Sequence, residues 1–462
     1  CIEAPCNPVY LRNERLITTK KWDFLEHLSK KIENFGAYSL CNLINYRKDG
    51  VPYLFVGNIK ENEIDINNLK YIDEKTHNIL YKSKIIEGDI VFTIAGTIGN
   101  AAVVPKQLNN SNSNQAIAKI RNTSLSPFYI STFLNSKYGK NQSQRFVISN
   151  VQPNLLLIQV KQLKIPIPSE VFQKQIEKLV LSAYNEREKA EKLYKEAEEI
   201  LLNELGLKNW KPKTKKIKIG GKEFEEEENI SIRNLSECLK VNRSDAEYWL
   251  PRYDEIEDLI KNYKGGFDNL PSLINISKEK IKIVSNENYK YIELADINSN
   301  IGTINQTEEM LGVNLPSRAK MKINKGYVLM SSVEGSIKKI ALVDFEKYNL
   351  VASTGFFIFK ENRLSKETIL VLLKSLSELY IKRQAQGTIL TAISNTSLGR
   401  IILPKVDLSI QSVISRKIKE SFKSRRKSKE LLKIAKRGVE IYIENDEQKG
   451  INYITKQLQD LN

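Results

Sequence analysis

EVFQKQIEKLVLSAYNEREKAEKLYKEAEEILLNEL, residues 170–205, has no Gly or Pro and is heavily charged. Its apolar residues fall at Ile176, Leu179, Ala183, Ala190, Leu193, Ala197 and Ile200, in steps of three and four, with one gap at Glu186. That period makes a narrow seam on one side of a helix, as in a coiled coil. At 1.5 Å per residue the helix would be roughly 54 Å long. Such a seam cannot form a core alone and needs a partner helix. The matching stretch is 411–442, with Ile414, Ile418, Leu432, Ala435, Val439 and Tyr442 in similar steps. Ser421, Arg425 and Ser428 fall in the same seam and predict looser pairing in its middle.

Working outward, residues 13–35 read as a lead-in strand or turn followed by a short amphipathic helix. Residues 38–168 are β-rich, with strands expected at 53–59, 89–95, 101–104 and 116–120, separated by Gly and Asn turns. Residues 127–136 read as a helix started by Pro127. Residues 206–231 hold a lysine cluster, a Gly-Gly pair and an acidic run, the composition of an exposed connector. Beyond residue 232 the plan begins again. LCNLIN (40–45) is echoed by LPSLIN (270–275), YLFVGNI (53–59) by YIELADI (291–297), and GDIVF (88–92) by GYVLM (326–330). GTI (96–98) is echoed by GSI (335–337), AVV (102–104) by ALV (341–343), NQAIAKI (114–120) by STGFFIF (353–359), and IPIP (165–168) by IILP (401–404). From the YLFVGNI pair to the STGFFIF pair the separations are 238 or 239 residues. A Gln (Gln175, Gln411) stands seven residues after the last Pro of each copy. The chain therefore divides into a β-rich unit (13–168), a long helix (169–205), a connector (206–231), a second β-rich unit (232–407), a second long helix (408–445) and a tail (446–462).

The 462 residues carry net charge +17, which favours a polyanionic partner. No apolar run reaches a membrane-spanning length. Cys1, Cys6, Cys41 and Cys238 form no CxxC pair, and His27 and His77 have no ligand spacing, so a zinc site and histidine catalysis lack material. Unpaired cysteines suit a reducing, cytoplasmic compartment. CNPVY (6–10) is similar to the NPPY-type site of adenine methyltransferases but lacks its second proline. GTIGNAAVV (96–104) has neither GxGxxG nor GKS and reads as a turn between strands. The run 225–228 sits in no strand pair that would make a nuclease site. The basic stretch 416–437 reads equally as a solvated face or as a strip facing phosphate or an acidic subunit.

The duplicated order, strands with GD(I/V), a G-(T/S)-I turn, QPNL, IPxP and a helix with an early Gln, resembles the specificity subunit of type I restriction–modification systems. RSDAEYWLPRYDEI (243–256) resembles the opening segment of its target-recognition domains, with NERLITTKKWDFLEHL (13–28) as a diverged counterpart. The VQPN of 151–154 becomes ISNT at 393–396, a departure from the pattern. The resemblance implies an α+β architecture: two β-rich target-recognition domains separated by two long antiparallel coiled-coil helices. It implies a non-catalytic subunit in which each domain reads half of a bipartite site in double-stranded DNA. The helices would set the spacer and dock two methyltransferase subunits. S-adenosylmethionine, ATP and Mg would belong to the methyltransferase and restriction/translocase partners, with no cofactor in this chain. The residues leave two alternatives open: the recognition part of a single-chain restriction–methylation enzyme whose catalytic domains precede Cys1, or a coiled-coil scaffold without a DNA role.

Base readout needs polar side chains on loops. The expected DNA contacts are Asn58, Thr97, Asn100, Gln144 and Arg145 in the first unit. In the second they are Ser332, Glu334, Lys338, Lys339, Arg383, Gln386 and Thr388. Unlike residues at echoed places, such as Asn58 and Asp296, fit separate half-site preferences.

Overall fold

The computed structural model describes residues 8–34, 44–67, 69–146, 154–219, 222–305, 309–387 and 391–461. The chain forms two compact units. Unit 1 is Cys1–Arg187 with Arg426–Asn462, and unit 2 is Glu188–Arg425. The two long helices, Glu170–Glu204 and Leu408–Glu444, each contribute to both. Among the described residues no helix is long and apolar enough to cross a membrane.

Each unit has the same two-sheet plan. In unit 1 an antiparallel sheet runs in the order 101–103, 90–93, 117–123, 29–33. A second sheet pairs Val51–Leu54 in parallel with Ser111–Ser113, flanked by Lys70–Ile72 and Lys84–Ile85, with Tyr46–Arg47 at its edge. Unit 2 repeats the first sheet as 340–342, 328–331, 356–360, 275–277. Its second sheet again pairs a strand in parallel, Asn288–Ile292 with Leu350–Ser353, between Glu309–Leu311 and Ala319–Lys322. One face of the first sheet in each unit closes a core with the long helices: Phe92, Phe133, Phe172 and Ile176 in unit 1, and Met330, Phe359, Leu370 and Ile414 in unit 2.

Helix pairing is antiparallel within each unit. In unit 1, Ser428 Oγ donates to the Ala183 carbonyl at 2.7 Å, while Ile176 lies against Gly438. In unit 2, Ser421 Oγ donates to the Ala190 carbonyl at 2.6 Å, and Lys417 bridges Glu196 at 2.6 Å. The seam serines therefore tighten the pairing they were expected to loosen. Each fits against an alanine and satisfies its hydroxyl on backbone, so two helices can approach closely without a stranded polar group. The seam is also broader on one side. Its buried residues include Ile176, Leu179, Val180, Ala183 and Arg187 in unit 1, and Ala190, Tyr194, Ala197 and Leu201 in unit 2. Arg187 fills the gap attributed to Glu186. Leu193, Ile200 and Leu432 are only half-buried beside Tyr194, Leu201 and Leu431, whereas Ile176, Leu179, Ala183, Ala190, Ala197, Ile414, Ile418, Ala435, Val439 and Tyr442 are buried.

Two local expectations are corrected, and the connector and the tail take regular structure. Residues Pro8–Thr18 form a helix that runs into the stretch from residue 13 where a strand or turn was expected. Trp22–Phe24 and Ser29–Glu33 then form strands where a helix was expected, since their partners are distant: Trp22–Phe24 pairs with Lys164–Pro166. The connector contains a hairpin, Thr214–Ile219 with Lys222–Glu227, whose register sets Lys215 opposite Glu226 and Lys216 opposite Glu225. The tail is a helix, Glu447–Leu461, seated where Gly450 approaches Phe172 and Gly438 approaches Ile454. A Cβ on Gly438 would lie 2.7 Å from Ile454.

Strand register also moves two of the echoes. Pro166, not Pro168, corresponds to Pro404, because Trp22 faces Pro166 as Phe267 faces Pro404. The matching glutamine is then Gln173, not Gln175. Gln173 accepts from Ser126 N at 2.9 Å and donates to the Pro168 carbonyl, while Gln411 accepts from Ser365 N at 2.8 Å and donates to the Val406 carbonyl. Leu25–Leu28, not residues 40–43, corresponds to Leu270–Leu273. Leu25 N donates to the Leu163 carbonyl as Leu270 N does to the Ile401 carbonyl. Residues 40–43 and 151–153 lie outside the described residues.

Candidate nucleic-acid interface

The turns that join the central strands were expected to carry the reading residues, and the repeat allows each to be compared with its twin. Asn58 closes a 3-10 turn: its Oδ1 accepts from Phe55 N at 2.8 Å and its Nδ2 donates to the Asp65 carbonyl. Asp296 does the same work in unit 2, accepting from Glu293 N at 2.8 Å. Burial is the largest influence on the Asp296 carboxyl and raises its pKa. Asn100 Nδ2 donates to the Ile59 carbonyl at 3.1 Å, and its twin Lys339 donates from Nζ to the Ile297 carbonyl at 2.9 Å. Asn100 Oδ1 also accepts from Lys140 Nζ at 2.5 Å, and burial pulls the Lys140 pKa down. Different residue types thus hold the same backbone atom in both units.

The arginines form a third pair. The leading helices Pro8–Thr18 and Pro251–Lys261 match over Pro8/Pro251, Tyr10/Tyr253, Glu14/Glu257 and Ile17/Ile260. This corrects the alignment of 243–256 with 13–28, and it places Pro8, Val9 and Tyr10 in a helix; Cys6 and Asn7 are outside the described residues. Arg145 bridges Glu14 at 2.6 Å, and Arg383 bridges Glu257 at 3.0 Å and Asp254 at 3.2 Å. The Glu14 pKa is lowered, chiefly by its hydrogen bond from Lys164 at 2.5 Å. Arg383 also donates to the Tyr248 carbonyl at 2.8 Å and lies 4.5 Å from the Tyr248 ring. Its side chain is 4% exposed, against 26% for Arg145, which borders a small cleft with Tyr10, Asn13, Gln142 and Gln162. Asn58, Asn100 and Arg383 are therefore corrected from surface contacts to buried fasteners. Lys339 and Arg145 are half-buried and committed to the same internal bonds.

Other candidates face outward. Thr97, Gln144, Lys338 and Gln386 are exposed; Lys338 Nζ stands 4.0 Å from Glu378, and Gln386 Nε2 donates to Ser397 Oγ at 3.3 Å. Ser332 and Glu334 are half-buried, with Ser332 Oγ donating to the Gly355 carbonyl. Thr388 lies outside the described residues. The turns that carry Thr97 and Lys338 differ in shape. Gly96 and Gly99 take φ of +71° and +88°, a region that favours glycine, whereas Glu334–Ser336 is a 3-10 turn. The echoed GTI and GSI thus present their neighbours differently. Among the described residues no group of three His, Cys, Asp or Glu side chains could hold a metal ion.

No family model matches the chain. Two curated proteins do, each at 29% identity. One is the type I restriction enzyme EcoBI specificity subunit of Escherichia coli, matched over 129 residues, 26% of either chain. The other is the type I restriction enzyme MjaX specificity subunit of Methanocaldococcus jannaschii, matched over 143 residues, 29% of this chain and 33% of the relative. The chain is similar to type I specificity subunits. It matches about a quarter to a third of the length of these relatives. The crystal structure of a type I restriction–modification S subunit from M. genitalium superposes over 90% of this chain and 94% of its own, with TM-score 0.42 and 12% identity.

Proposed function

We propose that the chain is the non-catalytic DNA-specificity subunit of a type I restriction–modification complex. Each unit reads one half of a bipartite site in double-stranded DNA. The paired helices set the unread spacer and dock two methyltransferase subunits. S-adenosylmethionine, ATP and Mg act on the methyltransferase and restriction/translocase partners. The observation that carries the reading is the same two-sheet plan built twice in one chain, with matched internal fasteners but unlike exposed turns. Duplicated scaffolds with different surface loops suit two related tasks on two different sequences. The net charge of +17 supplies sequence-independent attraction to phosphate. Thr97 and Gln144 in unit 1, and Lys338, Gln386, Ser332, Glu334 and Thr388 in unit 2, are the proposed reading residues.

Methylome sequencing of the host with and without this gene tests the reading. A split motif, two short halves at one fixed separation, should lose its methylation when the gene is deleted. An unchanged methylome refutes the proposal.

A further inference from the structure

Within unit 2 the second long helix turns Arg416, Lys419 and Lys423 to solvent. Their spacing of three and four places them on one face, over roughly 10 Å of helix. Lys419 Nζ forms a loose ion pair with Glu367 at 3.8 Å, and the lysine side chain is 67% exposed, so its ammonium stays open to a second anion. Arg416 and Lys423 make no hydrogen bond or ion pair among the described residues. Glu420 is the one exposed carboxylate in this stretch. The duplication provides a control. The residues 238 positions earlier, on the first long helix, are Lys178, Leu181 and Asn185. The same outward positions therefore hold three cations in one copy and one in the other. Helix formation and solvation are served by either set, so neither explains the difference.

We infer that Arg416, Lys419 and Lys423 form a phosphate-binding surface for the base pairs between the two half-sites. The inference rests on the DNA-reading function proposed above. A chain that reads a split site leaves the intervening bases unread, and what those base pairs offer a protein without sequence discrimination is their phosphates. Arg416 and Lys423, which have no acidic partner among the described residues, and Lys419, which holds one loosely, meet that need by charge alone. The surface adds affinity and salt dependence and leaves base preference unchanged.

The test uses the full chain assembled with its methyltransferase subunits and a duplex carrying the motif found in the host methylome. Binding is measured against salt concentration for wild type and for R416Q/K419Q/K423Q. The slope of log affinity against log salt should fall by about 0.9 for each phosphate that is no longer neutralised. The ratio of affinities for the motif and for a duplex with scrambled halves should stay constant. The single variant K423Q, at an exposed position, should give a part of the same change and keeps the test readable if the triple variant misfolds. An unchanged slope overturns the inference. So does a changed motif preference, or failure of the variants to assemble with the methyltransferase subunits, which would make this a protein-facing surface. A wild-type complex that shows no preference for the motif overturns the DNA-reading function itself, and this inference with it.

Discussion

Units 1 and 2 solve one structural problem in two ways. Each locks its leading helix with an arginine, but Arg383 is buried between two carboxylates and the Tyr248 ring, while Arg145 shares Glu14 with Lys164 at the border of a cleft. The difference teaches that an equivalent bond need not carry equivalent energy. Removing one partner of a buried pair leaves charge in a poor solvent; a half-exposed pair loses less because water partly replaces it. R383A should therefore destabilise unit 2 by about 3 kcal/mol, and R145A should cost unit 1 about 1 kcal/mol or less. Hydrogen exchange followed in Pro251–Lys261 and Pro8–Thr18 checks both. Equal effects would break the comparison.

The first sheets differ next. Lys119 is fully buried in unit 1, and its ammonium has no hydrogen-bond partner among the described residues; the twin position in unit 2 is Ile358. Burial outweighs the neighbouring Glu33 and brings the Lys119 pKa down to about 7. The unfolded chain, with an ordinary lysine pKa of about 10.4, then binds more protons between pH 7 and that value. Stability of unit 1 rises with pH across this window, and below pH 7 the full penalty is present. K119M should remove that rise and stabilise unit 1 by a few kcal/mol near pH 6.5, where each pKa unit is worth about 1.4 kcal/mol. Unfolding of wild type and variant at pH 6.5 and 9.5 tests it: the variant's advantage should shrink at the higher pH. A constant advantage would show that Lys119 keeps its charge in the fold.

The helix serines give a smaller and more symmetric effect. S421A and S428A each remove one hydroxyl bond to a backbone carbonyl and should cost about 1 kcal/mol in unit 2 and unit 1 respectively. A bulkier S428L should cost more, because the Ala183 backbone lies 2.7 Å from the hydroxyl and leaves no room. Substitution of the exposed Lys338 by Ala should change stability by less than about 0.5 kcal/mol. In the proposed complex it should weaken duplex binding without affecting assembly. Parallel thermal unfolding and binding curves separate these outcomes.

The duplication and both long helices were legible in the sequence, because a period of three and four and an echo at 238 residues are properties of the chain itself. The breadth of the seam was less legible. Arg187 is a charged residue with a long apolar stem, and it takes a buried place that composition assigns to something else. The Gln173 role was shifted by two residues because only strand register distinguishes Pro166 from Pro168. Several of the candidate DNA contacts were misjudged for a common reason. A polar residue in a turn looks the same whether it faces water or fastens a neighbouring carbonyl, and Asn58, Asn100, Lys339, Arg145 and Arg383 all fasten something. Positions with the same role in both units belong to the scaffold. Positions that differ, such as the turns carrying Thr97 and Lys338, are where the proposed discrimination between two half-sites would reside.

Selection of bound duplexes from a random library, by the chain assembled with methyltransferase subunits, tests the central claim most directly. Wild type should enrich two short half-motifs at a single separation. Substitutions at Thr97 and Gln144 should alter one half and leave the other intact, and substitutions at Lys338 and Gln386 should do the reverse. One contiguous motif, or changes in both halves from substitutions in either unit, would contradict the account.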